Sequence, residues 1–466
     1  MPEESLTAIA SAIRTRTLSP VEAVEGCLER IRKHEGRIRA FITLDEEGAL
    51  RRARALEDDA AAGRWHGPLH GVPVGLKDLC HLEGLPTSCG TRIPGYFASP
   101  TECTAARRLL EAGAVSLGKL NMTELALGAF GDNAHHGDAD NPWHAGHATG
   151  GSSSGSGAGV AAGFFAGAVG SDTGGSIRLP AACCGVVGLK PTYGRVSRAG
   201  AMVLSWSMDH LGPLAWTARD VALMLGVMAG RDPADATASR RAVADYLADI
   251  DGGIRGFRVG LPENYFFQGL DPEVANGVRA AARQLGELGA QVKELRIPDA
   301  QHMTDVAMLI ARSESSALHS TILREQPEAL QPTVRARLEV GLAISAHDYL
   351  QALRLRAQLT RVFVRDVFDE IDVLLAPVAP EPPPALAPLK AGTTDAFNAR
   401  SGRFSSLTRP FNGYGLPALS VPCGFSKAGL PLAFQAVGRP FDEARLLRLA
   451  HAYQEAAGWH RQRPSL

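Results

Sequence analysis

Apolar and polar residues alternate along this 466-residue chain with two different periods, one typical of helices and one typical of strands. After Ser19, apolar residues recur every three or four positions, which predicts an amphipathic helix. Pro20 in the first turn and Glu22 at the third position predict a capping box at the start of this helix.

Short apolar or β-branched runs between the helical stretches predict strands. The strand candidates are "HGVPVGLKDL", "AVSLGKL", "FRVGLP", "AQVKELRI", "VLLAPVAP" and "ALSVPCGF". The helix candidates are "TAARRLLEAG", "MTELALG", "PEVANGVRAAARQLGELG", roughly residues 303 to 372 with a break near "EQPEALQP", and "DEARLLRLAHAYQEAAG". This alternation predicts an α/β architecture in which helices cover a large sheet.

Residues 150–176, "GGSSSGSGAGVAAGFFAGAVGSDTGGS", have serine and glycine patches at both ends and an apolar run between them. A flexible linker would not carry such a run, which extends from Ala158 to Val169. We expect this run to form a helix that packs through its small residues.

Three familiar functions for such a stretch fail on the residues present. It has no lysine for a phosphate-binding loop, and "GSGAG" lacks the third glycine of a dinucleotide fingerprint. "DTGG" has no second copy to supply the paired carboxylates of an aspartic protease. "GSSSG" fits the Gly-x-Ser-x-Gly elbow, with Ser153 as nucleophile, although a loop-like segment precedes it, and this alternative stays open.

Composition narrows the class of protein further. The net charge is −1 and neither half is strongly basic, so we expect no binding to nucleic acid or to a membrane surface. The seven cysteines have irregular spacing without a Cys-x-x-Cys motif, which indicates reduced thiols. The N-terminal residues resemble no signal peptide, and no apolar run is long enough to span a bilayer, so we expect a cytoplasmic protein.

The two patches also carry a resemblance to a known family. Ser152 and Ser176 lie 24 positions apart, and "GSDTGGSIRLPAACCGVVGLKPTYGRVS" continues the same pattern. Together with "GVPVGLKDL", "GKLNMTELA" and "GLPALSVPCGF", these segments resemble the amidase signature family of serine hydrolases. Small departures are Ser154, Gly157 and Ser171, the last at a position where threonine is commoner.

The resemblance covers most of the chain and implies its fold. It implies one amidase signature domain over residues 1–466, built on a large mixed sheet with helices on both faces. The likeness is weakest over roughly residues 230–400, a largely helical part that we expect to shape the substrate pocket. The resemblance also implies a cis peptide bond between Gly151 and Ser152.

The resemblance assigns Ser176 as the nucleophile, Ser152 as a proton relay and Lys77 as the base. Arginine does not lose its proton in proteins, and the chain has only seven lysines. Lys77 lies in an apolar segment, where burial favours the neutral amine that a base requires. Asp78 follows it directly, but neighbours in a strand point to opposite faces, so the two need not pair.

Further site residues follow from the same loops. Backbone N–H groups can converge on a developing oxyanion if the turn before Ser176 is tight; the expected donors are Thr173, Gly174, Gly175 and Ser176. The residues expected to support the loops or to line the substrate site are Ser153, Asp172, Arg178, Ala126 and Gly128. For Asp172 and Arg178, structural support is the favoured role.

The segment "HHGDADNPWHAGH" contains His135, His136, His144 and His147. A metal site there stays open, but adjacent histidines are poor ligand spacing, and we favour a place at the mouth of the substrate pocket. The chemistry implied above needs no metal and no organic cofactor.

The predicted function is therefore hydrolysis of a linear amide through an acyl-enzyme on Ser176. A carbamate or urea-derivative hydrolase with the same triad is an alternative. A further alternative is the glutamine amidase subunit of a tRNA-dependent amidotransferase, which would need a partner chain. The expected partner is a small-molecule amide or carbamate, and a homodimer is left open. The aromatic residues of "FNARSGRFSSLTRPFNGYG" are compatible with an apolar substrate.

Overall fold

A computed structural model describes residues 4–466, and within this range eleven strands form one mixed sheet. In chain order the strands are β1 (Phe41–Leu44), β2 (Pro73–Lys77), β3 (Val115–Leu120), β4 (Gly167–Asp172), β5 (Val187–Lys190), β6 (His210–Ala215), β7 (Arg258–Pro262), β8 (Gln291–Leu295), β9 (Val373–Pro377), β10 (Ala418–Phe425) and β11 (Pro431–Val437). Their order across the sheet is β1-β3-β2-β4-β6-β5-β10-β11-β9-β7-β8.

The sheet contains two groups of parallel strands, separated by a central group of antiparallel strands. Strand β2 runs parallel to β3 and β4, and β7 runs parallel to β8 and β9. The central strands β4, β6, β5, β10, β11 and β9 pair antiparallel in that order. The carboxyl ends of the parallel neighbours β2 and β4 therefore meet at one edge of the sheet, and Lys77 and Asp172 are the last residues of these two strands.

Sixteen α-helices occur in the described residues. They are α1 (Leu6–Arg14), α2 (Pro20–Ile38), α3 (Glu46–Ala61), α4 (Thr104–Glu111), α5 (Ser154–Ala161), α6 (Arg178–Cys184), α7 (Ala218–Met228), α8 (Pro272–Glu287), α9 (Ala300–Leu318), α10 (Ser320–Glu325), α11 (Pro332–Leu342), α12 (Ala346–Phe368), α13 (Leu386–Lys390), α14 (Thr394–Phe404), α15 (Arg409–Gly413) and α16 (Glu443–Ala457). No helix between residues 4 and 466 is both long enough and apolar enough to cross a membrane.

Helices cover both faces of the sheet, as predicted. Successive residues of a strand point to opposite faces, and Ala168 and Val169 of β4 accordingly pack into two different apolar clusters. The cluster around Val169 includes side chains of α1, α7, α8 and α16. The cluster around Ala168 includes side chains of α2, α3 and α5, and a third cluster on α9, α12 and α15 covers Leu374 of β9. The sheet is therefore a central layer that is buried on both sides.

The start of α2 follows its predicted capping box. Ser19 Oγ accepts a hydrogen bond from the N–H of Glu22, and the Glu22 carboxylate accepts one from the N–H of Ser19. Two backbone donors that a helix start leaves unpaired are satisfied in this way.

Two helix predictions were wrong. The run from Ala158 to Val169 is not one helix, because α5 ends at Ala161, Gly163 turns the chain with a φ of +69° and β4 begins at Gly167. The "MTELALG" segment forms only a 3₁₀ turn over Glu124–Ala126, with positive φ values at Leu125 and Ala126. In both places tertiary structure overrides the local helix propensity of the sequence.

Candidate active site

Lys77 lies at the centre of a cluster of serine hydroxyl groups. Its Nζ atom is 2.7 Å from Ser152 Oγ, 2.9 Å from Ser153 Oγ and 2.8 Å from Ser171 Oγ. The side chain is fully buried, and the peptide bond between Gly151 and Ser152 is cis, as the resemblance implied. The first serine patch and the end of β4 thus meet at the lysine amine.

Burial changes the protonation of this amine. It lowers the pKa of Lys77 from its ordinary value to about 7, and more distant groups such as Cys80 and Asp172 oppose the shift. Asp78 does not pair with Lys77; its carboxylate lies 3.2 Å from the ammonium of Lys119, and both of these side chains are buried. A substantial fraction of Lys77 is therefore neutral near pH 7.

Ser153 points into the protein and not into the cavity that Ser176 lines. Its hydroxyl donates to the carbonyl oxygen of Ser171 at 3.2 Å and accepts from the N–H of Ser171 at 3.2 Å. The side chain is fully buried, and Ser153 is absent from the residues that line the cavity. This geometry favours a supporting role for Ser153 over the role of nucleophile.

Ser176 lies at the wall of a cavity of about 980 Å³, and the cavity is also lined by Gly151. The N–H of Ser153 donates to the carbonyl oxygen of Ser176 at 3.2 Å, which holds the two serine patches together. Within residues 4–466, no hydrogen bond joins the hydroxyl groups of Ser152 and Ser176. In structures without substrate, catalytic hydrogen bonds are often long and tighten only in the substrate complex.

The loop before Ser176 has three uncommitted backbone donors. In the described part of the chain, the N–H groups of Thr173, Gly174 and Ser176 make no hydrogen bond, and all three residues line the cavity. The N–H of Gly175 donates to Asp172 Oδ1 at 2.8 Å, so this expected oxyanion donor is already in use. The hydroxyl group of Thr173 donates to Asp209 Oδ1 at 2.6 Å, which fixes the start of the loop.

Asp172 and Arg178 form a buried ion pair that supports the loop before Ser176. Arg178 Nε and Nη2 each lie 3.0 Å from a carboxylate oxygen of Asp172, and both side chains are fully buried. Burial alone would raise the pKa of Asp172, but the charge and hydrogen bonds of Arg178 outweigh it and hold the pKa well below its usual range. Neither residue lines the cavity, so the geometry places them in support of the loop.

Other residues of the cavity wall come from both halves of the chain. Ala126 and Gly128 line it as predicted from the sequence, and a Cβ atom on Gly128 would lie 2.5 Å from Thr123 Cγ2. Further lining residues come from segments that the sequence resemblance covers only weakly, among them Tyr265, Thr304, Met308, Ala336 and Asn398.

Sequence reasoning missed four arginines of the cavity wall. Arg312 lies on α9, Arg337 on α11, Arg403 on α14 and Arg409 at the start of α15. It also emphasised the aromatic residues between 397 and 414, but Phe397, Phe404 and Phe411 are buried in apolar clusters outside the cavity lining. For Arg409, the available signal was that it is the single charged residue between Phe404 and Ser426.

The histidine-rich segment does not lie at the cavity mouth, which corrects that expectation. His135 Nε2 lies 2.7 Å from Glu124 Oε1, and His136 Nε2 lies 3.1 Å from the carbonyl oxygen of Thr91. None of the four histidines lines the cavity. Among residues 4–466, no group of three or more histidine, cysteine, aspartate or glutamate side chains has the spacing of a metal site.

Comparison with known proteins extends this picture to the whole chain. A family model described as Amidase matches residues 22–447. An amidase of Pseudomonas putida is 43% identical over 468 aligned residues, which cover 99% of this chain and 98% of the relative. One subunit of the glutamyl-tRNA(Gln) amidotransferase of Chloroflexus aggregans is 40% identical, with coverage of 99% and 98%.

A solved structure agrees with these sequence matches. A crystal structure described as that of an amidase superposes on this fold with a TM-score of 0.86 and 34% sequence identity, covering 97% of this chain and 99% of the other. The chain therefore belongs to the amidase signature family and is a hydrolase that acts on carbon–nitrogen bonds.

Proposed function

We propose that the protein hydrolyses a linear amide through an acyl-enzyme on Ser176, with Ser152 as proton relay and Lys77 as base. The observation that carries this proposal is the 2.7 Å contact between the buried Lys77 amine and Ser152 Oγ. Ser176 lines the cavity from the loop that follows β4. A nucleophilic hydroxyl needs an adjacent base, and a buried amine with a pKa near 7 is suited to that task.

The hydrogen bonds around Lys77 support Ser152 as the relay. A neutral amine donates two hydrogen bonds and accepts one, so one of its three hydroxyl neighbours must donate to it. Ser153 already donates its proton to the carbonyl oxygen of Ser171. The hydroxyl groups of Ser152 and Ser171 make no other hydrogen bond in the described residues, so the proton of either is available to the amine. Of the two, Ser152 is the one whose neighbour, Gly151, lines the cavity that Ser176 also lines, which favours Ser152 as the relay.

The proposed cycle conserves every proton. Ser176 Oγ attacks the carbonyl carbon as its proton passes to Ser152, and the proton of Ser152 passes to Lys77 Nζ. The C–N bond then breaks, and the proton returns from Lys77 through Ser152 to the leaving nitrogen. Water then attacks the acyl-enzyme, and its proton passes through Ser152 to Lys77 Nζ. The C–O bond to Ser176 breaks, the proton returns through Ser152 to Ser176 Oγ, and the carboxylic acid is released.

The free N–H groups of Thr173, Gly174 and Ser176 are the proposed oxyanion donors. They lie in the loop that precedes and includes the nucleophile, where a negatively charged oxygen would develop during attack. Removal of one such donor typically costs roughly 2.7–4 kcal/mol of transition-state stabilisation.

We also propose that residues 230–400 shape the substrate pocket within a single domain. Cavity residues of this segment come from α9, α11 and α14 and from the loops that contain Tyr265 and Pro380. Differences in this segment between relatives would then change substrate choice without changing the triad.

We place the enzyme in the cytoplasm. The support for this location is that all seven cysteines are free thiols and six of them are buried. Free thiols are typical of reducing compartments.

A glutamine amidase subunit of an amidotransferase is the second candidate, and the 40% identity to one chain of such an enzyme favours it. A carbamate or urea-derivative hydrolase would use the same triad and is distinguished only by substrate. Activity of the purified chain alone on a simple amide supports the main proposal. Activity on glutamine only after addition of a partner chain supports the second candidate.

The test of the main proposal is turnover by Ser176→Ala beside Ser153→Ala, measured as ammonia release from a panel of aliphatic amides, aryl amides and carbamates. We expect Ser176→Ala to lose all detectable turnover. Ser153→Ala should keep measurable turnover, because its hydroxyl supports the lysine and forms no bond to substrate. Loss of turnover in Ser153→Ala together with an active Ser176→Ala would establish the elbow mechanism instead.

A further inference from the structure

Four arginines line the cavity that contains Ser176. Arg312, Arg337 and Arg409 come from three different helices, and the fourth, Arg403, is exposed and donates to the carbonyl oxygen of Gly269. The first three are close enough to influence one another: burial, together with the charges of Arg312 and Arg337, lowers the pKa of Arg409 to about 10. Burial likewise lowers the pKa of Arg337, and Arg312 adds to that effect.

The protein supplies little negative charge in return. Ion pairs of the described residues involve other arginines, such as Arg178 and Arg335, and none includes any of the four arginines of the cavity. Arg409 Nη2 donates to the hydroxyl group of Ser405 and the carbonyl oxygen of Gly402, which are neutral acceptors.

Arg337 is also incompletely satisfied. Its Nη1 atom donates to the carbonyl oxygen of Leu127, and its Nη2 atom is buried without a hydrogen-bond partner. Asp132 offsets part of its charge, but burial raises the pKa of that carboxyl group. Asp305 is a cavity residue near Arg409 but is exposed and accepts a hydrogen bond from Gln301 at 2.9 Å. Asp395 is the other acidic residue of the lining. With four arginines and these two aspartates, the lining keeps a net positive charge.

This charge lies beside the reaction centre. A Cβ atom on Gly174 would lie 3.9 Å from Arg409 Nε, and Gly174 is part of the loop that leads into Ser176. A group bound to Arg409 is therefore within a few bonds of an amide held at Ser176.

We propose that the substrate is an amide with a carboxylate a few bonds from the scissile bond, and that Arg409 and Arg312 bind this carboxylate. Arg337 adds positive potential to the same wall. A guanidinium group donates two parallel hydrogen bonds to a carboxylate, and a confined cavity strengthens this pairing. The proposal rests on the proposed function, because the position of the carboxylate is defined relative to Ser176.

The primary experiment measures protection of Ser176 from a fluorophosphonate probe, which needs no knowledge of the natural substrate. The competitors are malonate, succinate and glutarate, each compared with its neutral diamide. In the full-length wild-type chain, we expect at least one dicarboxylate to slow labelling at a concentration at least tenfold lower than its diamide. Arg409→Gln and Arg312→Gln should each remove most of this difference.

Arg335→Gln is the matched control, because Arg335 lies on α11 beside Arg337 but pairs with exposed Glu339 at 2.7 Å outside the cavity. It should retain the wild-type preference. Melting temperatures of all variants, together with Arg409→Lys, separate loss of the subsite from loss of fold.

Hydrolysis of succinamate and succinamide then extends the test to turnover, with the carboxylate form preferred in kcat/KM by wild type and not by Arg409→Gln. Equal protection by acids and diamides in wild type would overturn the carboxylate subsite while the hydrolase proposal stands. An unchanged preference in both Arg409→Gln and Arg312→Gln would also overturn it. Failure of the probe to label the wild-type chain at all would instead contradict the proposed function.

Discussion

Lys77 interacts with three hydroxyl groups and, within the described residues, with no carboxylate at ion-pair distance. A carboxylate there would hold the amine in its charged form, whereas hydroxyl groups stabilise either form. The acid next to it in sequence, Asp78, lies against Lys119 instead. These neighbours therefore leave the neutral amine accessible, as the proposed role of Lys77 as base requires.

The pH dependence of activity follows from this environment. The ammonium form cannot accept a proton, so activity is lost as pH falls through the lowered pKa of Lys77, about 7, and is gained above it. We expect kcat/KM to rise from pH 5 to pH 8 with a half-maximum near pH 7. A profile that is flat across this range, or one with a half-maximum near the pKa of an ordinary carboxylic acid, would exclude Lys77 as the base.

Ser171 offers a test of how the amine is positioned. Its hydroxyl lies 2.8 Å from Lys77 Nζ, and a typical hydrogen bond contributes about 0.5–1.5 kcal/mol. We expect Ser171→Ala to lower kcat roughly tenfold or less, with a shift in the half-maximal pH, and Ser171→Thr, which keeps the hydroxyl, to remain near wild type. Steady-state kinetics across pH checks both; equal losses in the two variants would indicate a steric effect and not a hydrogen bond.

At the scale of elements, the turn between β4 and α6 contains Ser176, the proposed nucleophile, and the shape of this turn depends on glycine. Gly175 has a φ of +133°, and a Cβ atom there would lie 2.3 Å from Thr408 Oγ1. Thr408 in turn donates to the carbonyl oxygen of Gly174 at 2.7 Å. A side chain at position 175 would therefore move both the loop and the segment that begins α15.

Gly175→Ala should lower the free energy of unfolding by at least ~1–3 kcal/mol, the usual cost of such a backbone conformation, and should lower kcat. Gly174→Ala is the matched control for stability, because its Cβ would meet no atom closer than 3.9 Å and its φ is not in the left-handed region. Urea denaturation of the three proteins measures the difference. Equal stability of the two variants would mean that the loop adapts to a side chain at position 175.

Local sequence patterns predicted elements well where one element is bounded by clear signals. Ser19, Pro20 and Glu22 define the start of α2 by contacts within four residues, and the structure confirms it. The run from Ala158 to Val169 failed as a helix because its alanines, glycines and phenylalanines suit a helix, a turn and a buried strand equally. Only the pairing of β4 with β2 and β6 decides where the strand begins.

At the scale of the whole molecule, Arg178 joins parts of the chain that are far apart in sequence. Besides its pair with Asp172, it donates to the carbonyl oxygen of Thr408, to Gln435 Oε1 and to Asn412 Oδ1. These bonds connect the loop that contains Ser176 to α15 and β11, and all of the groups are buried.

Arg178→Leu should lower the free energy of unfolding by about 3–5 kcal/mol, because it leaves the carboxylate of Asp172 buried without its partner. Arg335→Gln removes one member of an exposed pair and should change stability by about 1 kcal/mol or less. The midpoints of urea denaturation compare the two. A similar small effect in both variants would show that Asp172 finds another partner or takes up a proton.

The proposed triad could be picked out in the sequence because two serines in glycine-rich patches and one lysine in an apolar strand have a recognisable spacing, and the structure places Lys77 beside Ser152. The lining of the cavity could not be predicted in this way. Arg312, Arg337 and Arg409 belong to separate helices with no shared pattern in sequence, and they meet only when α9, α11 and α15 pack together. The order of the eleven strands likewise depends on long-range pairing that local periodicity does not encode.

The most direct measurement of the central claim is the site and rate of fluorophosphonate labelling, followed by peptide mapping of the adduct. The account predicts one adduct on Ser176 in wild type, none in Ser176→Ala, and labelling of Lys77→Ala slower by about 10²–10⁴-fold, the usual contribution of a general base. An adduct on Ser153, or wild-type labelling rates in Lys77→Ala at neutral pH, would contradict it.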